Sequence, residues 1–66
     1  MTRYEAKQEL NKGGKVRHIF FTPYEYLHRS KENGQLLDEN NIALNETMYW
    51  DSRESKGFDH NWSIIE

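Results

Sequence analysis

From Thr2 to Gly14 the apolar positions are sparse and fall at helical spacing. Thr2-Arg3-Tyr4-Glu5 fits a capping box, in which the Thr2 hydroxyl accepts from the third helical N–H and Glu5 reaches back. Ala6 and Leu10 share a face at i, i+4. Lys12 suits the negative end of the helix dipole, and Gly13-Gly14 can take the left-handed conformation that ends a helix. The pattern predicts a helix of about ten residues, too short to persist alone and in need of a sheet to dock on.

After the glycines the period changes to two. Val16, His18 and Phe20 are predicted to line one face of a strand, with Arg17, Ile19 and Phe21 on the other. Thr22-Pro23 interrupts it, because proline brings no ladder donor. Tyr24 to His28 reads as a second strand rich in β-formers. Asn33-Gly34 fits a type I′ hairpin turn. Short strands are expected at Gln35 to Asp38 and Ile42 to Leu44, around a turn at Glu39-Asn40-Asn41, and another at Met48-Tyr49-Trp50. Asp51 to Asp59 reads as a polar loop with one helical turn near Phe58, and Asn61 to Ile65 as a closing strand. The expected fold is α+β, a single small domain over residues 1-66 with one N-terminal helix packed on a small antiparallel meander.

Composition narrows the class. Sixty-six residues bury only about 60% of what the unfolded chain exposes, so a core of this size has little margin. The chain has no cysteine, which removes disulfides and thiolate zinc sites as supports. Self-association is the remaining economical one, and a homo-oligomer is expected. Nine aromatic residues argue against disorder despite 35% hydrophobic and 30% charged content. The net charge of −2 argues against duplex nucleic acid, whose binding depends on phosphate neutralisation. No apolar run reaches membrane-spanning length, and Met1 to Lys12 lacks the apolar stretch of a secretory signal. A soluble intracellular protein is expected.

Candidate chemistry is mostly aromatic. Flat rings stack on bases at about 1–3 kcal/mol each without sequence readout. Trp62 and Phe20 are assigned to the core. Phe21, Tyr24 and Trp50 adjoin turns or loops and stand open to either role, and Tyr26 and Tyr49 complete the set. Arg17, Arg29 and Arg53 are candidate phosphate clamps. Arg17 is preferred because it shares the strand face of Phe21. Three histidines hold a metal only when they converge. If Thr22-Pro23 forms a two-residue turn, His18 lies opposite Leu27 and faces away from His28, and a one-residue slip reverses that; no metal site is expected. Asp38 to Asn41 lacks the glycine at the sixth position of a calcium loop, with Ile42 where an oxygen ligand belongs, and reads as a turn. Ser52, Ser55 and Ser63 have no base at motif spacing, so no catalytic residue and no cofactor is assigned.

At both ends the chain resembles the phage-encoded Thoeris anti-defence family of the second type, small sponge proteins that sequester cyclic nucleotide immune signals. Leu10, Gly13, Lys15, Val16, His18 and Phe21 stand at the spacings of that family's opening frame. Trp50, Phe58, Asn61, Trp62 and Ile64 match its closing frame, a tryptophan followed after eleven residues by a second within a strand. The match covers about half the chain, and the middle is shorter than in typical members. Arg3 and Lys7 stand where the family is usually apolar, so weaker or different helix docking is expected. Phe21 replaces the usual tryptophan, and His18 a common arginine.

The resemblance implies a phage protein in the host cytoplasm that binds a nucleotide-derived immune signal without turnover, in pockets formed between copies. The expected ligand-binding residues are Arg17, Phe21, Tyr24, Tyr26 and Trp50. The alternative is a protein-interaction module that inhibits a host factor through an acidic and aromatic surface. It would use Glu32, Asp38, Glu39, Glu46, Asp51 and Glu54 for charge complementarity and Trp50 or Tyr49 as anchors. A single-stranded nucleic-acid binder ranks third, disfavoured by net charge.

Overall fold

A computed structural model describes residues 1–65 as an α+β unit of two helices and antiparallel strands in two small sheets. Helix α1 spans Arg3–Asn11. The Thr2 hydroxyl accepts from the Glu5 amide at 3.1 Å, and the Glu5 carboxylate accepts from the Thr2 amide at 2.9 Å. Hydrogen bonding to the carboxylate from the Thr2 backbone foremost, and from the Thr2 side chain next, holds the Glu5 carboxyl below the usual carboxylate range. At the other end Gly13 takes a φ of +91°, the left-handed geometry that lets the chain leave the helix.

Strand β1, Lys15–His18, pairs antiparallel with the last strand, β4, Trp62–Ile65, setting Val16 opposite Ile64 and His18 opposite Trp62. On its other side Val16 exchanges two backbone hydrogen bonds with Leu27, at 3.0 and 2.9 Å. Leu27 leads into β2, His28–Arg29, which pairs with β3, Leu36–Leu37. A further bridge joins Leu37 to Ala43. The spatial order is therefore β4-β1-β2-β3, with the final strand returning beside the first. Beyond β4 the Met1 ammonium donates to the Trp62 carbonyl at 2.8 Å, and the Trp62 amide donates to the Met1 carbonyl at 3.1 Å.

The core lies between α1 and one face of this layer. Ala6 and Leu10 meet Val16, Leu27, Leu36, Trp50 and Trp62, with Phe21, Leu44, Tyr49 and Phe58 packed around them. Residues from both resembling segments, Leu10, Val16, His18, Trp50 and Trp62, are thus buried in one molecule's centre. Arg3 and Lys7 each find a docking contact. Arg3 pairs with Asp59 at 2.6 Å and donates to the Arg53 carbonyl, while the Lys7 ammonium lies 4.8 Å from the Trp50 ring centre.

Several elements differ from the sequence expectation. Met48-Tyr49-Trp50 is helical, within α2, Glu46–Asp51. Asn45 caps it by accepting from the Met48 amide at 3.0 Å, and this local cap prevails over the β-forming tendency of the aromatics. The Tyr24 to His28 strand shrinks to the Leu27 bridge and β2. Thr22 and Glu25 instead close a turn in which the Glu25 amide donates to the Thr22 carbonyl at 3.1 Å. The Glu25 carboxylate accepts from both the amide and hydroxyl of Thr22. Consequently Val16, not His18, faces Leu27. A second turn, with the Phe21 amide donating to the His18 carbonyl at 2.9 Å, ends β1 at His18. It directs Phe21 inward and leaves Phe20, expected in the core, 66% exposed.

The remaining strands shorten too. Gln35 to Asp38 reduces to β3, and Ile42 to Leu44 to a single bridge. In the hairpin between β2 and β3 only Gly34 has positive φ, +73°, so the turn is a longer loop closed by Ser30 and Gln35 rather than type I′. The helical turn near Phe58 is present as a 3-10 segment, Lys56–Phe58, and the closing strand stands where expected.

Candidate functional site

The layer has one covered and one half-open face. Val16 and His18 are buried, so Lys15 and Arg17, alternating with them, point to the other side. Tyr26 and His28 flank buried Leu27 and share that side: the Lys15 ammonium lies 5.1 Å from the Tyr26 ring centre, and the Tyr26 and His28 rings are 5.4 Å apart. Carrying the Val16–Leu27 register one residue on places Arg17 beside Tyr26. Arg17 donates weakly to the carbonyls of Phe21 and Thr22, at 3.3 and 3.4 Å. Its Nε is buried without a partner. Both ion pairs among the described residues lie elsewhere, at Arg3–Asp59 and Arg29–Glu46, and neither Lys15 nor Arg17 pairs with a described carboxylate.

Of the five expected ligand-binding residues, Arg17 and Tyr26 therefore come together on this face. Phe21 does not join them; it packs edge-on against Trp62 with ring centres 5.6 Å apart. Tyr24 sits at the tip of the Thr22–Glu25 turn, 85% exposed. Trp50 is only 7% exposed, so it serves the core and offers little stacking surface. Lys15 and His28 were not singled out as ligand contacts. For Lys15 the signal was present, because it has the same strand parity as Arg17.

A cleft of about 210 Å³ opens at the end of the layer. Phe21, Tyr26 and Tyr49 supply rings, and Glu25, Asp38 and Glu39 supply carboxylates. Arg53 forms part of the wall, its guanidinium 4.5 Å from the Tyr49 ring centre and 5.2 Å from that of Phe58. Asp38 accepts from the amides of Asn40 and Ile42 at 2.8 and 3.0 Å, the polar turn expected there. Burial raises the Tyr49 hydroxyl above its ordinary pKa; Arg53 opposes that, and the charges of Glu25 and Glu39 reinforce it. Nothing in the sequence neighbourhood of Glu25 links it to Asp38 and Glu39.

Among the described residues no three histidine or acidic side chains converge as a metal site. His18 is enclosed by Phe20, Phe58 and Trp62, with ring centres 4.5 to 5.0 Å away. No helix is long and apolar enough to cross a membrane among the described residues. Compared with family models, curated proteins and solved structures, the chain matches none.

Proposed function

We propose that this is a phage-type anti-defence protein that binds a nucleotide-derived immune signal in the host cytoplasm and holds it without turnover. One observation carries the reading: Arg17 and Tyr26, expected as ligand contacts, adjoin Lys15 and His28 on the half-open face of the sheet. A phosphate needs cations and a base needs a flat ring, and this face offers both. The resemblance at the two chain ends supplies the choice of ligand.

The face is shallow, so a ligand bound there by one copy stays half in water. Two copies apposing these faces enclose it, which agrees with the support a small core needs. Isothermal titration of the folded protein with cyclic ADP-ribose isomers and cyclic di- and trinucleotides tests the reading. Heat with one of them, abolished in Arg17→Ala and reduced in Lys15→Ala, supports it. Absence of heat with every one removes it.

A further inference from the structure

The cleft at the end of the layer adjoins that face at Tyr26 and carries the opposite charge. Three acidic residues, Glu25, Asp38 and Glu39, line it together with one basic residue, Arg53. None of the three belongs to either ion pair among the described residues. Glu25 and Asp38 accept only from neutral donors, and Glu39 makes no side-chain hydrogen bond among the described residues. An anionic ligand is repelled here, whereas a cation finds both carboxylates and ring faces.

We propose that this cleft receives an arginine side chain from a peptide segment of a partner protein. Arg53 shows the chemistry on the spot, since its guanidinium already lies against the rings of Tyr49 and Phe58. A planar guanidinium stacks on an aromatic face and still offers its edge to a carboxylate, which an ammonium cannot do as well. Phe21 and Tyr26 provide the apolar walls for the side-chain stem, and Glu39, free of internal duties, is the principal charge partner. A space of about 210 Å³ suits one long side chain and is too small for a helix. The proposal shares Tyr26 with the sheet face but needs no nucleotide bound there.

The probe is the tripeptide acetyl-Gly-Arg-Gly-amide, titrated into the full chain while the ring resonances of Tyr26 and Tyr49 are followed by NMR. The control peptide carries citrulline, which keeps the shape and lacks the charge. The expected result is saturable shifts with a dissociation constant at or below about 1 mM, and binding at least about tenfold weaker for the citrulline peptide. Glu39→Gln, whose fold is verified in the same spectra, weakens arginine binding by a similar factor. Raising the salt concentration weakens the arginine peptide and not the control. Equal affinity for both peptides, or no shift with arginine at about 10 mM, overturns the proposal. Displacement of the arginine peptide by a cyclic dinucleotide also overturns it, by making the two surfaces one site. Nucleotide shifts at Lys15, Arg17 and Tyr26 that leave Tyr49 and the arginine affinity unchanged keep the cleft proposal standing.

Discussion

His18 and Trp62 stand opposite each other across the first and last strands, their rings 5.0 Å apart and inclined at 70°. Each ring also ties the two strands' surroundings together by hydrogen bonding. The Phe20 amide donates to His18 Nδ1 at 3.0 Å, so the neutral ring carries its proton on Nε2 and donates to the His60 carbonyl at 2.8 Å. The Trp62 indole donates to the Phe58 carbonyl at 2.8 Å.

Replacing His18 by leucine keeps an apolar body but orphans the Phe20 amide and the His60 carbonyl. Each stranded group costs about 1–3 kcal/mol. Trp62→Ala removes the centre of the core and costs about 3–5 kcal/mol. Urea titrations followed by circular dichroism are expected to show a lowered midpoint for His18→Leu. Trp62→Ala is expected to leave no folded baseline at all.

The two glycines after α1 differ in what they tolerate. A side chain at Gly13 meets open space but is forced into a φ of +91°, at a cost of about 1–2 kcal/mol. A Cβ at Gly14 falls 2.2 Å from the Glu9 carboxylate, the mobile end of a side chain that can swing away. Gly13→Ala is expected to lower the melting temperature more than Gly14→Ala, by thermal unfolding of both. The reverse order means that the helix does not end through the left-handed residue.

Acidification should act through Arg29 and Glu46. The guanidinium donates to both Glu46 oxygens at 2.8 and 2.7 Å, and those bonds hold the Glu46 carboxyl below its ordinary value. A depressed carboxyl contributes stability above its unfolded pKa and loses it as pH falls through the folded one. Stability is therefore expected to decline below about pH 4.5. In Glu46→Gln that component of the decline is absent, leaving a smaller change between pH 5 and pH 3 in denaturant midpoints. The pair is partly exposed, so salt reduces the difference.

Alkali should act through Tyr49. Its hydroxyl is raised by burial, so the folded state holds that proton more firmly than the unfolded chain does. The resulting contribution is complete below the unfolded pKa near 10 and disappears as pH climbs through the higher folded value. Ultraviolet titration should show one tyrosine ionising above the ordinary tyrosine range, and Tyr49→Phe should remove that late phase.

Local chemistry was the legible part of this sequence. The capping box, the glycine stop and the closing strand involve residues a few positions apart, and all stand where the sequence places them. Met48-Tyr49-Trp50 misled because two β-forming aromatics, Tyr49 and Trp50, outweigh one upstream asparagine in a propensity count, although Asn45 caps the helix. Phe20 and Phe21 exchanged roles because a turn at His18 breaks the alternation one residue before it can carry Phe20 inward. The half-open face was half legible, Arg17 and Tyr26 from residue type, their adjacency only from the Val16–Leu27 bridge. The cleft was not, since Glu25 and Asp38 are joined by the path of the chain rather than by any spacing.

Met1 and Trp62 clasp each other through two backbone hydrogen bonds, and Arg3 reaches Asp59 in the same seam. A nascent chain on the ribosome has nothing to close against until Trp62 has cleared the exit tunnel. Closure of this seam consequently waits for the last strand, a pairing of long sequence separation that slows folding.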